Sequence, residues 1–528
     1  MAISSLLSAS GNFFSPSPDR PGRRTSAGLV ADEFYRDPIE ALYAHYADPK
    51  ANSIPLIVTS TFLTEVGRCI SIAPCLKSHE DALYSPVLVR SLLALYVMHQ
   101  IRLYCRPFLR RLYRKLDRGE IPPVTLDFIL CYGMSALSEN HLTPAKRRFL
   151  SSAYLERLNH VALTQLSTNP SIDTPFLMYQ ICRLHVLYRT GEAYRSFISL
   201  SNKLVMERKY HLIDLLDDGP SDPSEALYHE ISLEFKRRVF HDVTSLEHLA
   251  GALSGIPSNM ALTYAVVQPI NDATLLKLLA LPPAEDTFPV LVPCMTHIVS
   301  GYPSLIELSK IGHDMASLRA QFPLDSLSQF DLAPYLAINR RLSILHPLLL
   351  KEFPLSLWAT KDKDYNSPVY TAGVCMVHST YLMVRIFTNV RNWSFGARAV
   401  RPEAYPELRA QASKAVDFYT TNCVPLIQQL PPPSHNIIVS VACLLSAFWC
   451  ITRLHYQADM PDLVHRDLLT IRLYIDIVET FEPYVAYLSS MKKILEMAFR
   501  EVLAACPGLI PAQLIRRSNL TIETVENT

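Results

Sequence analysis

The stretch Glu234-Phe235-Lys236-Arg237-Arg238-Val239-Phe240, followed by Leu246-Glu247-His248 and then by Gly255-Ile256-Pro257, decides the reading of this 528-residue chain. It joins a basic cluster, an apolar stripe and a Gly-x-Pro stop within 24 positions. Apolar residues at 239, 240, 243, 246, 249, 250 and 253 recur in steps of three and four, the period of one buried helical face. Gly255 and Pro257 end that helix, because glycine accepts the left-handed backbone of a helix C-terminus and proline cannot continue the hydrogen-bond ladder. Nothing in the stretch pairs a nucleophile with a base, so it reads as a structural and regulatory helix.

Working outward, the same period recurs along most of the chain. Asp217-Asp218-Gly219-Pro220-Ser221-Asp222-Pro223 is the clearest internal loop, and a helix over 225–253 follows it. Upstream, Ser85-Pro86 opens one helix, Leu92–Tyr113 forms a second apolar run, and Pro122-Pro123 precedes a helix over 125–138. Helices also fit 145–167, 173–190 and 193–211. Downstream, Leu281–Asp286 and Thr360–Ser367 read as loops, and helices resume over 368–390, 404–429, 437–453, 464–480 and 484–505. In the last of these Tyr484, Tyr487, Leu488, Met491, Ile494, Leu495, Ala498, Phe499 and Val502 share one stripe, with Pro483 at the first helical position. No segment alternates with the period of a strand. The expected fold is all-α: a large irregular multi-helix domain behind a disordered N-terminal tail over 1–30, which is rich in Ser, Pro, Gly and Arg.

Composition bounds the function. Lys and Arg total 50 against 49 Asp and Glu, so no global basic field draws the body of the protein to nucleic acid. Gly is scarce at 15 and Pro common at 38, which disfavours glycine-rich phosphate loops and suits helices that stop abruptly. The eleven Cys show no framework spacing and read as reduced thiols inside a cell. The uncharged run Ile437–Thr452 holds about 16 residues, short of the roughly 20 that span a bilayer, so it reads as a buried helix and no membrane association is expected.

Phosphate-loop, dinucleotide, nucleophile-elbow and zinc-peptidase motifs are missing from the sequence, which argues against an enzyme. Cys69 and Cys75 have no second pair nearby to complete a zinc site. Asp217, Asp218 and Asp222 are spaced one residue too widely for an acidic metal cluster and are interrupted by Gly219-Pro220, so they read as turn formers. His241 and His248, seven apart, face a common side of their helix. Arg102, Arg106, Arg110 and Arg114 make a positive stripe, which reads either as a solvated face or as a surface for an anionic partner, a DNA backbone included.

Glu234-x-x-Arg237-Arg238-Val239-Phe240, Leu246-Glu247-His248 and Gly255-x-Pro257 together resemble the fungal-specific transcription factor domain, the middle homology region of the binuclear zinc cluster regulators. His241 stands where that family usually has Trp, Glu247-His248 where it has Asp-Arg, and Ile256 where it has Arg. Pro269 with Asp272 matches a later element, Arg106-Pro107-Phe108-Leu109 resembles the turn after the opening helix, and Tyr210-His211 stands where a Leu-His pair ends another helix. The resemblance implies a core over 90–275, with 31–89 as a helical extension, 276–510 as a helical half packed on the core, and 511–528 as a tail. It implies a nuclear transcriptional regulator that works with the transcription machinery or a DNA-binding partner and forms homo- or heterodimers. The family's six-cysteine DNA-reading module is missing here, so no cofactor is expected in this chain; zinc enters only if an upstream segment encodes that cluster. A helical scaffold or adaptor outside transcription is the competing expectation.

Overall fold

The computed structural model describes residues 85–100, 123–135, 193–220, 226–254, 266–268, 302–321, 333–355, 368–389, 406–429, 437–456, 460–482 and 486–505, with residues 143, 151, 154–160, 178, 181, 182, 184 and 222 between them. Among the described residues there is no strand: the chain is all-α, as its periodicity predicts. The expected tail over 1–30 and the stripe at Arg102, Arg106, Arg110 and Arg114 lie outside the described residues, as do Cys69, Cys75, Gly255, Pro257, Pro269 and Asp272.

Two helices open the described fold. Helix α1 (Pro86–Gln100) packs on α2 (Pro123–Ser135), and it starts at Pro86 and runs through Leu92 without a break between the two runs that the sequence suggests. Leu88, Leu92, Leu93 and Leu95 of α1 are buried, as are Phe128, Ile129, Leu130 and Met134 of α2. Gly133 lets the backbones touch: a Cβ built there would run into the Leu92 carbonyl oxygen. Both atoms belong to helical backbone, so neither side can yield cheaply. On an exposed helix Gly→Ala stabilises by about 1 kcal/mol; here Gly133→Ala destabilises by about 1–3 kcal/mol through overpacking. A urea midpoint that rises for this variant, rather than falls, would refute the close approach.

Helix α3 (Ala193–Glu207) ends where Lys209 takes a left-handed conformation, φ 57°. The chain then enters a 3-10 turn, Tyr210–Leu212, anchored by the buried Tyr210. Helix α4 (Ala226–Ser254) is the signature helix, with boundaries within a residue of those read from sequence. It packs on α3 and the 3-10 turn on one side and on α5 (Tyr302–Gln321) on the other. The loop before α4 turns at Asp217: its Oδ1 accepts from the Gly219 N–H at 3.3 Å, and Gly219 sits at φ 79°, where a side chain would be strained.

The largest core belongs to the C-terminal helices. Helix α6 (Ala333–Glu352) and α7 (Pro368–Asn389) follow α5, then α8 (Pro406–Asn422), the short α9 (Val424–Ile427), α10 (Ile437–Tyr456), α11 (Pro461–Phe481) and α12 (Ala486–Ala505). Helix α10 is the central element, in contact with α7, α8, α11 and α12. Its uncharged run has Ala442, Ala447 and Cys450 interleaved with Phe448, all buried; small residues admit neighbouring helices while a side chain such as Phe448 contributes about 1.5–3 kcal/mol by leaving water. Leu488, Leu495, Phe499 and Val502 bury the predicted stripe of α12. Cys131, Cys182, Cys375, Cys423, Cys443 and Cys450 are buried thiols, none of them in a disulfide among the described residues. No helix among the described residues is long and apolar enough to cross a membrane.

The reading of the sequence places no helix between Asp286 and Thr360, yet α5 and α6 both lie there. Polar groups pin α6 to α7. Asn339 and Asn389 exchange side-chain bonds at 2.8 and 3.0 Å, and Arg385 donates to the Asn339 carbonyl at 2.7 Å. Each amide is satisfied twice over, so the pair fixes register without leaving an orphan in the core.

Candidate functional site

Helix α4 is expected to bury one face, but the structure buries it on two. Val239, Phe240 and Val243 are buried, and so are Glu234, Arg238, His241, Asp242, Thr244 and His248. Leu246 and Glu247 are half-buried. The cause is tertiary: α3 with its 3-10 turn covers one side while α5 covers the other.

Glu234, Arg237 and Arg238 form one joint with Asp214. Arg238 Nε donates to Glu234 Oε1 at 2.9 Å, one turn back on the same helix. Arg237 Nη1 approaches Glu234 Oε2 at 3.7 Å. Arg237 Nε donates to Asp214 Oδ1 at 2.8 Å, and its Nη2 donates to the same oxygen. Burial pulls the Arg237 guanidinium down, but the Asp214 hydrogen bond and the charges of Asp214, Glu234 and Asp217 outweigh it and raise its pKa. Arg237 thus faces a neighbouring element, as the sequence suggests, whereas Arg238 is held within its own helix.

Asp214 passes the constraint on. Its Oδ2 accepts the backbone N–H of Gln268 at 2.5 Å, and the Val266 N–H donates to the His211 carbonyl at 2.7 Å. The Gln268 carbonyl in turn accepts from His241 Nε2 at 3.1 Å. Arg237, Asp214, Gln268 and His241 therefore make a relay that sets the segment 266–268 against α4.

One consequence is a half-open pocket of about 110 Å³ between α4 and α5. Phe240, His241, Thr244, Ser245 and His248 line it from α4, Ile306, Ser309 and Lys310 from α5, and Val267 from the tethered segment. His241 and His248 do share a side, as their spacing requires. Burial first pushes both histidines down, His241 to about 4 and His248 to about 3, so both are neutral imidazoles at physiological pH. The Lys310 charge lowers both, His313 also lowers His248, and Arg238 lowers and Asp214 raises His241. His248 packs against His313 with ring centroids 4.5 Å apart and the rings tilted by 35°.

Among the described residues the lining holds hydroxyls, neutral imidazoles and one ammonium, and no carboxylate. No group of three or more His, Cys, Asp or Glu suited to a metal occurs among the described residues. His229 pairs instead with the turn-forming Asp217 at 2.6 Å. Sequence reasoning found His241 and His248 but missed Ser309, Lys310 and His313, because α5 itself went unread. Its buried Leu308, Ile311, Met315 and Leu318 carry the helical period that would have found it.

No family model, no curated protein and no solved structure matches this chain. The likeness to the fungal regulators is carried by the quoted residues of the sequence alone.

Proposed function

We propose that this chain is a transcriptional regulator built on an all-helical regulatory domain, acting on DNA through a partner. The observation that carries the reading is the joint on α4. Glu234, Arg238 and Phe240, which share in carrying the likeness to the fungal regulators, are buried, and the half-buried Arg237 ties that helix to the element before it. A basic pair that packs α4 rather than facing solvent fits a regulatory core, in which small movements of one helix reach its neighbours through packed contacts. The pocket beside the joint gives such a core a place to sense a ligand.

The expected outcome is nuclear enrichment of the tagged full chain, its recovery with chromatin, and a changed transcript profile on deletion. Cytosolic confinement with unchanged transcripts would end this reading.

The adaptor reading has an observation of its own. Leu336, Ile344 and Leu348 lie along one face of α6 and are 38%, 65% and 51% exposed. Apolar side chains aligned in this way suit contact with another protein. Affinity purification separates the readings: transcription factors among the partners favour the first, cytoskeletal or trafficking proteins the second.

A further inference from the structure

The pocket between α4 and α5 is polar in one sense only. Lys310 is exposed at its edge and makes no ion pair among the described residues. It lines the pocket with both histidines, and its charge lowers the pKa of each. The Ser309 hydroxyl donates to the Ile306 carbonyl at 2.7 Å and shares its hydrogen with Ser245 Oγ at 3.1 Å. Ser245 accepts in that contact, so its own hydrogen is available to a ligand.

His248 supplies the second, independent observation. It is 1% exposed, and neither ring nitrogen has a hydrogen-bond partner. A neutral imidazole carries one N–H and one lone pair, and leaving a buried polar group unsatisfied costs about 1–3 kcal/mol. A ligand in the adjoining space would relieve that cost. The required ligand accepts hydrogen bonds from an ammonium, a hydroxyl and an imidazole N–H, is small, and carries negative charge because the described lining residues include a cation and no carboxylate.

We propose that this pocket binds a small tetrahedral oxyanion, inorganic phosphate or the phosphate group of a phosphomonoester, between Lys310, Ser245 and His248. Lys310 supplies the charge, Ser245 a hydroxyl donor and His248 an N–H donor; a protonated phosphate oxygen also returns a hydrogen to the imidazole lone pair. Binding ties α5 to α4 beside the Arg237–Asp214–Gln268–His241 relay. As an effector site the pocket rests on the regulatory reading above, but binding itself does not.

The test is thermal unfolding of the purified full chain with sodium phosphate, sulfate or chloride at matched ionic strength, followed by a simple phosphomonoester. Phosphate should raise the midpoint saturably, as a ligand of the folded state does, and chloride should not. Lys310→Met, a change at an exposed position, should weaken the apparent affinity about tenfold or more, and Ser245→Ala should weaken it less. A response to sulfate equal to that to phosphate supports tetrahedral oxyanion recognition, and saturation by the phosphomonoester at lower concentration identifies the esterified source. Equal effects of phosphate and chloride, or an unchanged phosphate response in Lys310→Met, overturn the site. Binding without chromatin association removes only the regulatory reading; chromatin association without binding removes only the site.

Discussion

Replacing Arg453 with methionine destabilises the protein by about 3–5 kcal/mol, because it strands a buried carboxylate. Asp467, on α11, is 0% exposed. Arg453, on α10, reaches it with Nε to Oδ2 at 2.6 Å and with Nη2 to Oδ1. Arg453 Nη1 also donates to Asp417 of α8 at 3.0 Å, so one guanidinium ties three helices together. Burial pushes the Asp467 carboxyl up against the pull of Arg453. For Arg453, burial pulls the pKa down, and the Asp467 hydrogen bond with the neighbouring negative groups more than restores it. Methionine keeps most of the apolar stem and removes the charge. Arg466 cannot substitute: its Nε lies 3.8 Å from Asp467 and its side chain is 52% exposed, where water weakens the attraction.

The urea midpoint should fall sharply in Arg453→Met and recover most of the loss in Arg453→Met/Asp467→Leu, since an apolar pair no longer leaves a buried charge. Asp417 remains hydrated at 41% exposure and adds little penalty. A single variant as stable as the parent would show that the pair contributes nothing.

Acidification produces the other large effect. His241, His248 and His378 are buried, with pKa values lowered to about 4, 3 and 4. Burial is the first cause in each. His378 also donates from Nε2 to the Phe353 carbonyl at 3.0 Å, which raises it, and lies near His346, which lowers it. The sign follows from proton binding. In the unfolded chain these groups titrate near 6.5, so below that pH the unfolded state binds more protons than the folded state. Stability is complete above about pH 6.5 and declines as pH falls toward the folded-state values near 4 and 3. At pH 5 the linkage amounts to about 2 kcal/mol per histidine, roughly 6 kcal/mol for the three. That is comparable with the whole stability of many domains.

Between pH 7 and pH 5 ordinary carboxylates remain ionised, so histidines dominate the change; His346, also lowered by burial, adds to the drop in the same direction. Urea titrations at several pH values should show the midpoint dropping steeply through this range. His378→Gln, which retains an N–H for the Phe353 carbonyl, should remove about a third of the drop. Identical midpoints at pH 7 and pH 5 would mean that the imidazoles are solvated.

The elements legible in the sequence are those whose pattern is local and strong. Helix α4 announced itself through its apolar period, α10 through an uncharged run too short for a bilayer, and α12 through its stripe. In α5 and α6 polar residues punctuate the apolar period and obscure it without removing it: Ser304, Ser309, Lys310, His313 and Asp314 in α5, and Asn339, Arg340, Arg341, Ser343 and Pro347 in α6. Several of those residues are satisfied across helices, as Asn339 is by Asn389 and Arg341 by Glu307 at 3.4 Å. A pattern cannot display a partner that lies dozens of residues away.

The site divides in the same way. Periodicity alone places His241 and His248 on one side of a helix and fixes the chain as all-α, since side-chain spacing along a helix is a local geometric fact. Only the tertiary structure brings Lys310 and Ser309 to that side, buries Glu234 and Arg238 with the apolar face, and joins Arg237 to Asp214. Those outcomes depend on which helices meet, and long-range packing and hydrogen bonding, rather than the order of neighbouring residues, decide that.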